Sequence, residues 1–238
     1  MQKPSDMKGK IDYKTLVASG VTDCPELMEV IEKVGFLPLL ESGIPGFSAD
    51  EAVAPECRYV VTDEGWEWPL WQWKGPMVTE GGFAYGKFFA GKAGFVSRRW
   101  WPELCNWRRS QHPIPLDDSV EGTILEILRT AGSMITRDLR TACGFTGKGM
   151  RSKFDAYVSR LQEATYVVTE DFVYPKDRHG NNYGWGWALL SVPESLFGRE
   201  ACSSPRLPED SRTLIFNHLK SLLPDATPRQ IARLVDGR

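Results

Sequence analysis

The 238-residue sequence has no window approaching eighteen uncharged apolar residues, so no membrane-spanning helix is expected. Its opening stretch, MQKPSDMKGKIDYK, lacks the apolar centre of a secretory signal, and a cytoplasmic address is the expectation that follows. Cysteine is sparse and scattered. Cys24, Cys57, Cys105, Cys143 and Cys202 are odd in number and include no Cys-x-x-Cys pair, which argues for reduced thiols and against a disulfide framework. The only histidines, His112, His179 and His218, are far apart and none stands beside a cysteine, so neither a metal site nor another cofactor is expected. The run GFTGKGMRS lacks the Gly-x-x-x-x-Gly-Lys-Ser/Thr spacing and follows a helical pattern rather than a strand, which sets aside an NTP-hydrolysing loop. Ser/His/Asp and Cys/His catalysis have no local signature either.

What is present is the composition of an ordinary globular chain, 42% hydrophobic and 25% charged, long enough for one large domain or two small ones. The net charge of -2 hides a segregation. From Asp12 to Leu70 twelve acidic residues face three basic ones; from Lys74 to Arg109 seven basic face two acidic, and Arg129 to Arg160 repeats that excess. Such asymmetry points to a face that binds a polyanion.

The stretch GWEWPLWQWKG places Trp66, Trp68, Trp71 and Trp73 within eight residues. Indole offers a flat face on which nucleobases stack, and it is also the largest filler of a core. Read as a helix with Pro69 in the first turn, residues 66–73 put Trp66 and Trp73 on one face and, roughly, Trp68 and Trp71 on another. One face then fills core while Trp68 and Trp71 line a groove.

Patterning divides the chain into a polar leader (1–20), a first part (21–112), a second part (118–198) and a helical tail (199–238), with the boundary in the Pro- and Asp-containing SQHPIPLDD. Residues 12–34 read as helical, most strongly from VTDCPELMEVIEKVG, with Asp23 or Thr22 as cap and Gly35 as stop. FLPLLESGIPGF is too rich in Pro and Gly to continue as helix, RYVV reads as a short strand, FAYGKFFAGKAGFVS as a hairpin turning at AGKAG, and RRWWPELCNWRRS as a short helix. In the second part Ser119 caps a helix ending at Gly132, Thr136 caps a second, and a third spans roughly Lys148 to Gln162, followed by a two-stranded ribbon around PKDRHGNN. The tail adds a helix with Leu214, Ile215, Leu219 and Leu222 on one stripe and another capped by Thr227; these pack on the body or pair with a second copy.

Three helices and then a hairpin is the order of a winged helix, whose third helix lies in the major groove while the wing touches flanking backbone. The fold class read from this pattern is α+β, two winged-helix-like parts with a C-terminal helical extension. Duplex DNA is the expected partner, with Lys148, Arg151 and Lys153 on the third helix and Arg178, beside His179, on the wing. Tyr85 and Lys87 of the first hairpin and Arg98 and Arg99 before its helix join that candidate set.

The runs WEW (Trp66 to Trp68), AYGKFF (Ala84 to Phe89), AGF (Ala93 to Phe95), GFTGKG (Gly144 to Gly149) and YGWGWALLSVPESLFG (Tyr183 to Gly198) resemble the winged-helix DNA glycosylases of the AlkZ type, and more narrowly their short relatives of unknown function. The resemblance implies a concave stack of winged-helix-like units on duplex DNA and a link to damaged bases. The true enzymes position the attacking water with a Gln-x-Gln motif that this chain lacks; Gln72 stands alone between Trp71 and Trp73. Cleaving an N-glycosidic bond passes through an oxocarbenium-like sugar, which a carboxylate or amide must steady. Glu67, flanked by indoles that would desolvate it, is the candidate, with Asp63 and Gln72 behind it. A DNA binder, an active monofunctional glycosylase and a protein-interaction module without DNA all stay open at this point.

Overall fold

The computed structural model describes residues 12–63, 65–180 and 184–237. Residues 1–11 of the polar leader, Asn181 and Asn182 of the wing turn, and Tyr183 lie outside the described residues. Helix and strand are mixed along the chain, as the α+β expectation requires. Its first half runs α1 (Tyr13–Leu16), α2 (Cys24–Val34), β1 (Phe36–Pro38), the single turns α3 (Ala49–Ala52) and α4 (Pro55–Arg58), β2 (Val60–Thr62), β3 (Gly65–Glu67), α5 (Pro69–Thr79), β4 (Ala84–Phe89), β5 (Lys92–Val96) and α6 (Trp101–Gln111). The second half runs α7 (Val120–Ala131), β6 (Ser133–Ile135), α8 (Thr136–Ala142), α9 (Met150–Glu163), β7 (Val168–Val173), β8 (Trp187–Ser191), α10 (Pro193–Phe197), α11 (Pro208–Leu222) and α12 (Pro228–Asp236).

Helix ends follow the capping chemistry of the sequence, with two corrections. Asp23, not Thr22, caps α2 by accepting the Glu26 N–H, and Gly35 ends it at φ +79. Gly35 also has a packing reason: a Cβ there would lie 2.3 Å from Cδ1 of Trp100. Ser119 accepts the Gly122 N–H at the start of α7. Thr136 is not the cap of α8 but its first helical residue; Ile135 precedes the helix, and the Thr136 hydroxyl is turned away to donate to the Ala188 carbonyl. α9 begins two residues later than expected, because Gly149 sits in the left-handed region just ahead of it. The region 12–34 is one short turn and one helix rather than a continuous helix.

Six strands form a single sheet in the order β1-β5-β4-β7-β8-β6, antiparallel at each pairing. The hairpins β4–β5 and β7–β8 are those the sequence patterning predicts. They meet where Tyr85 pairs with Thr169, so strands from both sides of the 112–119 linker share one sheet. The edge strands β1 and β6, three residues each, were not foreseen, since three residues are too few to display a period of two.

Two apolar clusters flank this sheet. One unites α2, β1, β4, β5 and α6 with the tail; the other is built from Ile124, Leu128, Leu139, Phe154, Val158, Leu161 and Leu190. The choice left open for the tail is resolved toward the body: Ile215, Leu219, Ile231 and Leu234 are all buried in the first cluster. Leu214 is 38% exposed instead, and Ser211, hydrogen-bonded to Glu103 and Asn106, takes its place on the stripe. Arg108, only 1% exposed, donates to the carbonyls of Phe88, Glu163, Leu234 and Val235 and so ties β4, the end of α9 and the end of α12 together.

Candidate nucleic-acid interface

The tryptophan run is not one helix. Trp66 lies in β3 opposite Val61, Trp68 is the residue before the helix, and α5 starts at Pro69, whose fixed φ and missing N–H suit a first turn. The pairing of Trp66 with Trp73 on a helical face therefore gives way to another arrangement. Trp66, 63% exposed, meets Tyr59 edge-on, while Trp73 packs on the first core. Trp68 and Trp71 stack with centroids 5.5 Å apart and 20° between planes, and Trp68 Nε1 donates to Asp50 Oδ1 at 3.1 Å. Trp185, also 63% exposed, meets Trp71 edge-on at 4.9 Å.

Beneath Trp71 lies Lys74. The buried positions of α5 are Leu70, Lys74, Met77 and Val78, a helical stripe in which lysine occupies a core position. Its Nζ is 3.0 Å from the centroid of the Trp71 ring and 3.9 Å from that of Phe172, and the residue is 1% exposed. Burial pulls this amine down to about 7, because the charged form loses its water and gains only ring faces in exchange. Trp71 Nε1 is likewise buried, with no acceptor.

Two residues past Trp185, Trp187 forms a wall of a cavity of about 200 Å³ whose other lining residues are Thr136, Arg137, Arg140, Arg151 and Asp155. Two residues of chain span at most about 7 Å, so the backbone positions of Trp185 in the indole cluster and Trp187 in this cavity are close. The Arg137 guanidinium lies over the Trp187 ring at 4.7 Å and pairs with Asp138 at 2.9 Å. Arg151 Nε is 3.7 Å from Asp155 Oδ2. Arg140 Nε is buried and meets no acceptor. The bond from Thr136 to Ala188 fixes the start of α8 on β8 and thereby sets where Arg137 and Arg140 point.

The residues singled out from sequence are distributed unevenly around this arrangement. Lys148, Arg151 and Lys153 are exposed at the start of α9, and Arg178 is exposed on the wing turn, where its Nε donates to His179. Arg98 and Arg99 are exposed but lie outside the cavity lining; Arg98 covers the Phe197 ring at 3.9 Å. Lys87 is partly buried and donates to Ser159 Oγ at 3.0 Å, linking β4 to α9. Tyr85 is buried between Phe95 and Phe172, where burial pushes its phenol well up, so its ring serves the core. Glu67 and Asp63 are exposed, and Gln72 Nε2 donates to Glu67 Oε2 at 3.4 Å. The flanking indoles do not cover Glu67, so the desolvation on which its candidacy leaned is not supplied.

Charge segregation also resolves into two fates. In the first basic run Lys74 and Arg108 are buried and Arg109 pairs with Glu194, so much of that run is structural. The second run supplies Arg137, Lys148, Arg151 and Lys153 to the surface. Lys74, Arg137, Arg140, Trp185 and Trp187 were not singled out from sequence. Signals for three of them existed: a lysine on an apolar helical stripe, and arginines three apart on α8. Among the described residues no three His, Cys, Asp or Glu side chains converge, and no helix is long and apolar enough to cross a membrane.

No curated protein and no solved structure matches the chain. A family model described as AlkZ related does match, over residues 21–236, which takes in the second apolar cluster, all of the first but Tyr13 and the residues beside it, the indole stack, the arginine cavity and the tail up to Asp236. The chain belongs to the AlkZ-related family.

Proposed function

We propose that this protein binds duplex DNA, with residues 120–191 acting as a winged helix in which α7, α8 and α9 are the three helices and β7–β8 the wing. The observation that carries the reading is the arginine cavity. Three guanidiniums converge where α8, the first turn of α9 and the wing strand meet, and Arg140 Nε waits there without an acceptor. A phosphate oxygen is the acceptor that such a fork matches, and guanidinium pairs with it more strongly than with a neutral group. No acidic residue stands in the first turn of α9, which leaves its N-terminal dipole free to favour an anion. Lys148 and Lys153 extend the positive face along the helix, and the adjoining indoles offer stacking surface for an unpaired base. In this reading residues 21–112 form a second unit that carries Trp68 and Trp71, against which Trp185 of the first unit packs, and residues 199–238 brace it.

Fluorescence anisotropy of a labelled 20-base-pair duplex tests the reading, with the wild type compared with Arg140→Gln plus Arg151→Gln. Loss of charge-assisted phosphate contacts should weaken binding about tenfold to a hundredfold for each contact removed. Equal affinity for both proteins would place the contact surface elsewhere. Absence of binding by either at low salt would contradict the reading and favour a module that binds another protein.

A further inference from the structure

Lys74 is a buried amine that phosphate binding leaves unused. Among the described residues it meets no carboxylate and no hydrogen-bond acceptor, only the faces of Trp71 and Phe172. A methionine would fill the same stripe of α5 without the cost of desolvating an ammonium, so packing alone does not explain a lysine there. The ring that covers it, Trp71, is partly exposed, has its own buried Nε1 without an acceptor, and is met edge-on by the largely exposed Trp185. Two adjacent donors thus lie under an exposed indole cluster, and an acceptor arriving from outside would satisfy both.

We propose that Lys74 is an amine nucleophile for a carbonyl in bound DNA, namely the C1′ aldehyde of a ring-opened abasic deoxyribose. This rests on the DNA-binding reading above. With its amine held near 7 by burial, roughly half of Lys74 is free base at neutral pH, against about one in three thousand for a lysine at 10.5. The Nζ lone pair attacks C1′ and the carbonyl π electrons move to oxygen. Nζ then gives up its two protons, and that oxygen leaves as water while the C1′=Nζ double bond forms. One imine and one water result, and no oxidant or reductant is consumed. Trp71 turns aside to admit the aldehyde, and the vacant position left by the missing base offers the displaced indole a stacking surface between its neighbours. The rival explanation, a purely structural cation–π clamp of α5 on β7, predicts no covalent chemistry.

The test uses the full chain with a duplex carrying one abasic site, in sodium cyanoborohydride, which reduces an imine to a stable amine. Adducts are mapped by peptide mass spectrometry while anisotropy follows binding of the same duplex. The expected result is a single adduct on Lys74, absent with intact duplex, reduced at least a hundredfold in Lys74→Met, and increasing as pH rises through about 7. Binding without an adduct, or adducts spread over exposed Lys148 and Lys153, overturns the proposal and leaves the DNA-binding reading standing. No binding overturns both. Should Lys74→Met fail to fold, the adduct map of the wild type decides alone.

Discussion

Replacing Arg108 by methionine removes the side chain that ties β4 and the ends of α9 and α12 together. Its guanidinium donates to Val235 O at 2.6 Å and to Phe88, Glu163 and Leu234 O at 3.0 Å each. The last turn of a helix supplies no intrahelical donor to its final carbonyls. Leu234 and Val235 lie in the last turn of α12, Glu163 is the last residue of α9, and Phe88 sits where the β4–β5 register shifts. Arg108 therefore caps two helix C-termini, where a cation is favoured, and fills an irregular point of the sheet. Methionine keeps much of the volume but leaves buried carbonyls without donors, at about 1–3 kcal/mol each, and such losses do not sum fully. A net loss of about 4 kcal/mol is expected, which for a chain of this size lowers Tm by about 8–16 °C. Gly237→Ala should reproduce part of that loss independently, since its φ is +76 and a Cβ there would fall 2.0 Å from Arg108 Nη1. Circular-dichroism melting and a urea titration of the single and double variants measure both effects, and the double variant should lose less than the sum. A methionine variant melting within 2 °C of wild type would refute the capping role.

Two further outcomes follow from the packing. Gly35→Ala should destabilise by about 2 kcal/mol or more in a urea titration, because it adds left-handed strain to a clash with Trp100 that only movement of the indole relieves; an unchanged midpoint would contradict this. Lys74→Met should raise Tm, and by more at pH 6 than at pH 10. The folded amine sits at about 7 and the unfolded one near 10.5, so the unfolded state binds the extra proton between those values. Stability in the wild type thus falls, by about 3–5 kcal/mol at most, as pH drops from 10.5 to 7 and levels off below, while the methionine variant lacks this component. Melting curves of the two proteins across that range should converge as pH rises; a constant gap would refute the burial.

Local signals account for most of what sequence made visible. Caps such as Asp23, Ser119 and Thr227, glycine stops such as Gly35 and Gly132, and the aromatic or β-branched runs around the turns of both hairpins each act over a few residues, and each is realised in the structure. Signals that depend on distant partners were not visible. Trp66 leaves the helical pattern because β2 offers Val61, five residues upstream, as its strand partner, and Trp68 because the helix begins only after it, at Pro69. Nothing local separates Arg108, which is buried, from Arg98 and Arg99, which are exposed, since all three occur in one basic run. The arginine cavity needs α8, α9 and β8 at once. Trp187 reaches Arg137 only through the return of a hairpin begun nineteen residues earlier, at Val168, and the charge count of residues 129–160 registers the excess without its geometry.

The proposed function stands on one grip, that of the arginine cavity and the start of α9 on a phosphate backbone. Its most direct test is the salt dependence of duplex affinity for the wild type and for Arg140→Gln plus Arg151→Gln. Arg137, Arg140, Lys148, Arg151 and Lys153 together predict a slope of log K against log salt of about -3 to -5, with the double variant shallower by about 2. A slope near zero, or one that the substitutions leave unchanged, would contradict the claim.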